Sequence, residues 1–101
     1  MREFNYVSEK KSVKIDGKIY ELKPSSVAIA EICQKISDFS NVSDASDILT
    51  LANVEYELVS HAIGKESCIE VLGDLMNCDV YKLGGLSGFL LEEYNENESA
   101  D

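Results

Sequence analysis

Asp16-Gly17 stands between two short stretches of alternating apolar residues, an arrangement that admits few local structures other than a β-hairpin. Asp-Gly suits the type I′ two-residue turn, which needs positive φ at both central positions. A two-residue loop fixes the register, so Ile15 faces Lys18 and Val13 faces Tyr20. Val13, Ile15, Tyr20 and Leu22 then share one face, with Lys14, Glu21 and Lys23 on the other. Turn chemistry and alternation agree, as a hairpin requires. Phe4, Tyr6 and Val7 are candidates for a third strand. A small hairpin is marginal in water, so helices must cover its apolar face.

The rest of the chain supplies them. Pro24 ends the strand region, and Ser25 or Ser26 can cap a helix. Ile29, Ile32, Cys33 and Ile36 follow at helical spacing, with Phe39 on the same side and Glu31, Gln34, Lys35 and Asp38 opposite. Ser40 to Ser43 is a polar connection, and Asp44 or Ser46 can cap a second helix that stops at Gly64. Apolar residues cover more than half of that helix's circumference, from Ile48 and Leu49 to Ala62 and Ile63. A helix apolar that far round is packed on two sides or lies at an interface. Ser67-x-x-Glu70 has the form of a capping box, with a short helix expected through Ile69, Leu72 and Met76. Asn77 or Asp79 starts the last element, with Val80, Leu83, Leu86, Leu90 and Tyr94 on one side. Gly84, Gly85 and Gly88 each cost a helix about 1 kcal/mol against alanine, so either a break or a close backbone approach is expected there. Residues 92 to 101 carry five acids and no base, which predicts a domain over 1–94 and an acidic disordered tail over 95–101. The expected fold class is α+β: a small N-terminal hairpin packed on three to four α-helices.

The chain has 101 residues, 45% of them hydrophobic, enough for one domain with a real core. No apolar run reaches the roughly 18 residues of a membrane span, and the start of the chain lacks the apolar stretch of a signal peptide. Cys33, Cys68 and Cys78 are odd in number and widely spaced, as in a reduced, cytoplasmic protein. The net charge of −10 is uneven: residues 1–23 carry +2 and residues 24–101 carry −12. Such a surface repels phosphate backbones and suits a basic protein partner. Nucleic acid and membrane are therefore not expected partners.

No residue pattern demands a reaction or a cofactor. His61 is the lone histidine, and with the three cysteines it lacks the paired spacing of a zinc site. Gly84-Gly85-Leu86-Ser87-Gly88 lacks the Lys-Ser/Thr of a phosphate loop. A non-enzymatic protein is expected, with no catalytic, cofactor or metal residue. Glu55 falls inside the apolar arc of the second helix. It is either a partly desolvated acid in a partner groove or a carboxylate paired with Lys35 or Lys65 or reaching water past Ala52. Phe89 points off the Leu83/Leu86/Leu90 face of a regular helix, as a second buried contact or as an exposed anchor. Glu55, Leu86, Phe89, Glu92 and Glu93 are the candidate partner-binding residues.

The string from Val13 through Asp16-Gly17-Lys18-Ile19-Tyr20 to Pro24, followed by an amphipathic helix, resembles the start of the tail assembly chaperones of long-tailed bacteriophages. Leu83-Gly84-Gly85-Leu86 and the acidic Leu90-Leu91-Glu92-Glu93-Tyr94 end are similar to that family's later helices. The resemblance implies a phage or prophage protein of the bacterial cytoplasm. It would bind the tape-measure protein, assist tail assembly and help recruit tail-tube subunits, with self-association also allowed. The alternative, from a different class, is an acidic inhibitor or nucleic-acid mimic that occupies a basic protein's site.

Overall fold

The computed structural model describes residues 1–6, 10–39 and 45–99, the last few of these by their backbone alone. Strands β1 (Lys11–Ile15) and β2 (Lys18–Leu22) pair antiparallel with Ile15 opposite Lys18 and Val13 opposite Tyr20, the register that the turn dictates. Asp16 (φ 50°) and Gly17 (φ 83°) both take the left-handed conformation of a type I′ turn. Val13, Ile15, Tyr20 and Leu22 are buried together. Residues 1–6 form no strand, and Phe4 and Tyr6 lie in solvent. The third strand is therefore not supplied by those two residues, and Val7 lies outside the described residues.

Helix α1 (Val27–Asp38) starts at Ser26, whose Oγ accepts from the Ile29 N–H at 3.2 Å. Ile29 and Ile32 are buried, Cys33 and Ile36 half-buried. Helix α2 (Ala45–Ile63) ends at Gly64, which has φ 93°. The expected 40–43 connection and the Asp44 cap lie outside the described residues. α2 is the centre of the fold, packing against α1, β2, helix α3 (Lys65–Leu72) and helix α4 (Val80–Ser99). Leu58, Val59, Ala62 and Ile63 near its C-terminal end are buried. The Lys23 N–H donates to the Ala62 carbonyl at 2.7 Å, tying the end of β2 to the last turn of α2.

Several expectations are corrected. Ser67 and Glu70 are not a capping box: α3 begins earlier, with Gly64 as its N-cap and no side-chain cap. Glu70 instead reaches the hairpin, accepting from Lys18 Nζ and, at 3.0 Å, from the Tyr20 hydroxyl. A cation and a phenol across the fold outcompete the local backbone N–H for this carboxylate. α3 also stops sooner, at Gly73, and Met76 belongs to a separate 3₁₀ turn, Leu75–Asn77, capped by Asp74. Asp79, rather than Asn77, caps α4, its carboxylate accepting from the Tyr81 N–H at 2.8 Å.

α4 runs unbroken past its three glycines and on through Ser99. No close approach requires the glycines. A Cβ at Gly85 or Gly88 would meet nothing within 4 Å, and one at Gly84 would meet only Glu55 Oε2 at 3.9 Å. Burial of Leu83, Leu86, Leu90 and Tyr94 along one stripe holds the helix together despite its poor propensity. Tyr94 adds a hydrogen bond from its hydroxyl to the Lys23 carbonyl at 2.8 Å. Among the described residues the fold is α+β, with a two-stranded hairpin and four helices.

Candidate functional site

The two halves of α2 differ. Its C-terminal half buries its apolar residues Leu58, Val59, Ala62 and Ile63, whereas Ile48 and Leu49 near its start are exposed, Leu49 to 61%. The 3₁₀ turn and the first turn of α4 lie beside this uncovered end. They bring Leu75, Met76 and Val80 against Ile48, Leu49 and Ala52 around a cavity of about 190 Å³. Met76 is 84% exposed and Val80 is also open to solvent. Among the described residues no cation lines the cavity. Asp47, Asp74 and Asp79 are chain neighbours of Ile48, Leu75 and Val80, so the apolar cleft is flanked along the chain by acids. Scattered apolar side chains on a surface are ordinary, whereas here a concave cluster is drawn from three elements.

A second cavity, of about 330 Å³, lies between β1 and α4 and contains Ile15, Leu86 and Phe89 in its walls. The Lys82 ammonium and the Asp16 carboxylate, both lining residues, form an ion pair at 2.7 Å. A third, of about 260 Å³, lies between α1 and the end of α4, with Ser25, Cys33, Gln34 and Tyr94 in its lining.

The sequence-derived candidates are not brought into one site. Leu86 is buried, and Phe89 is half-buried and packed on the core, so Phe89 is no free-standing anchor. Its partial burial needs no break at the glycines. Glu92 is exposed, while Glu93 is half-buried beside Lys11, 3.8 Å from its ammonium. Glu55 sits at the contact of α2 with α4 and lines none of these three cavities. Its hydrogen-bond partner is Ser87 rather than Lys35 or Lys65: Oε2 accepts from the buried Ser87 hydroxyl at 2.8 Å. Sequence reasoning points to the apolar helix from Ile48 to Ile63 as a whole as a partner surface, and does not point to Met76 or Val80. The over-wide apolar arc of α2 was the available signal, but it could not say which end was uncovered.

Burial raises the Glu55 carboxyl above its ordinary value of 4.5, and the Ser87 hydrogen bond offsets only part of that rise. The fold therefore favours the protonated acid. This contribution to stability is fully present below about pH 4.5 and is lost as pH rises through the raised value. Glu55→Gln keeps an oxygen for Ser87 and removes the half-buried charge. It should melt higher than the parent at neutral pH, with the gap closing as pH falls toward 4; a gap independent of pH would contradict this account.

The remaining chemistry is sparse. His61 is exposed. Burial pushes the Cys68 and Cys78 thiols up, the reverse of what activates a nucleophile. Among the described residues, no three His, Cys, Asp or Glu side chains group as they would around a metal ion. Nor is any described helix long and apolar enough to cross a membrane. Compared with known protein families, curated proteins and solved structures, the chain matches none.

Proposed function

We propose that this chain binds a helical segment of a larger protein in the cleft between α2 and α4. In this reading it is a tail assembly chaperone of a long-tailed phage or prophage, and its client in the bacterial cytoplasm is the tape-measure protein. The observation that carries the binding role is the apolar cleft of Ile48, Leu49, Ala52, Leu75, Met76 and Val80, open to solvent at the end of α2 away from the core residues Leu58, Val59, Ala62 and Ile63. Such a groove accepts the apolar stripe of an amphipathic helix, with anchors at helical spacing. The net charge of −10 favours a client with a basic polar face and speeds encounter more than it tightens binding. The choice of client rests on the family resemblance of the Val13–Pro24, Leu83–Leu86 and Leu90–Tyr94 segments. Co-expression with the tape-measure protein of the same genome is the test. The chaperone should keep that long, aggregating protein in the soluble fraction and co-purify with it. A tape-measure protein that stays insoluble and retains none of this chain would rule the client out.

A further inference from the structure

The hairpin has an unused edge. Among the described residues β1 pairs with β2 alone. Ile15–Lys18 is the pair that closes the two-residue turn. In an antiparallel ladder pairs alternate, so Ile15, Val13 and Lys11 direct their N–H and C=O groups toward β2 and those of Lys14 and Ser12 point outward. Beside that edge is the cavity of about 330 Å³ with Ile15, Tyr81, Leu86 and Phe89 in its lining. Among the described residues, a Cβ at Gly85 beside it would meet nothing within 4 Å. The same chain also carries two uncovered aromatics ahead of its hairpin. Phe4 and Tyr6, two residues apart, are 88% and 76% exposed on a segment that makes no sheet with its own hairpin. Extended, they project from one face, as an edge strand over a core-facing groove must.

We propose that residues 1–6 of one copy add as a strand to the free edge of β1 in a second copy, and reciprocally, making a dimer by exchange of arms. The incoming strand satisfies the outward groups of Ser12 and Lys14 and lays its aromatic face over Ile15 and Phe89. Each copy owns one strand and one edge, so two copies leave neither unmatched and the assembly closes at two. Exchange also removes an exposed edge and two exposed aromatics at once. The proposal does not depend on the identity of the client.

The test is the mass of the full chain across a dilution series by sedimentation or light scattering. The expected mass is twice 11.2 kDa. Phe4→Ser with Tyr6→Ser removes the anchors at solvent-exposed positions and should weaken dimerisation about 100-fold or more. Lys14→Pro removes one outward N–H and keeps the pairing of Val13 and Ile15 with β2, and should have a similar effect. Mixed together, the two variants should form a one-to-one heterodimer tighter than either variant's own dimer and weaker than the parent's, because one of the two contacts again has an intact arm on an intact edge. A parent chain that is monomeric throughout overturns the proposal. So does a dimer that survives the Phe4→Ser/Tyr6→Ser change, which would place the contact on another face, or a monomer in which Phe4 is shielded by its own hairpin.

Discussion

Leu58→Ala is expected to lose about 3 to 4 kcal/mol of folding stability, the cost of deleting a fully enclosed leucine and leaving a cavity. Leu58 is 0% exposed, among the core residues near the C-terminal end of α2. A domain of this size has about 5 to 15 kcal/mol in total, so the variant gives up a large part of it. Urea unfolding should show a lower midpoint with an unchanged slope, because the surface exposed on unfolding is nearly the same. Buried side chains from the hairpin and all four helices belong to the same hydrophobic core, so the loss should appear equally by helix and by tyrosine signals. A loss under about 1 kcal/mol would mean that α2 is not the centre of the fold.

The second large effect separates binding from folding. Leu49→Asp with Val80→Asp places two carboxylates in the walls of the cleft. Both parent residues are exposed, so the domain should fold with little change in melting temperature. A client helix would have to bury both charges unpaired, a penalty of several kcal/mol, so co-purification should fall by more than about 100-fold. Phe89→Ala should do the reverse. Phe89 is half-buried against the core and lines the other cavity, so its truncation lowers the melting temperature and leaves the client bound.

The hairpin was the most legible part of the sequence because two independent signals coincide there. Asp16-Gly17 sets the register and the apolar alternation demands the same one. α1 was equally clear from Ser26 and the Ile29/Ile32 stripe. Reading failed where distant partners decide local structure. Glu70 looked like a capping residue because its sequence neighbours fit the pattern, but its actual partners, Lys18 and Tyr20, lie about fifty positions away. Gly84, Gly85 and Gly88 looked like a break because propensity is a local quantity. The burial of Leu83, Leu86 and Leu90 that overrides it is tertiary. The cleft shows the same limit. The sequence held the excess of apolar residues on α2, and only the fold decided that Leu58, Val59, Ala62 and Ile63 would be covered and Ile48 and Leu49 left open. The acid at position 55 stands out within the apolar arc of α2, but its partner, Ser87, sits 32 residues further along on another helix.

The docking of a client helix in the cleft between α2 and α4 is tested most directly by methyl NMR of this protein. The titrant is a peptide carrying a basic amphipathic helix from the tape-measure protein of the same genome. The account predicts that the methyl signals of Ile48, Leu49, Ala52, Met76 and Val80 shift, while those of Ile15 and Leu86 beside the hairpin stay in place. Shifts confined to Ile15 and Leu86, or a saturating complex that leaves Leu49 and Val80 unmoved, would contradict it.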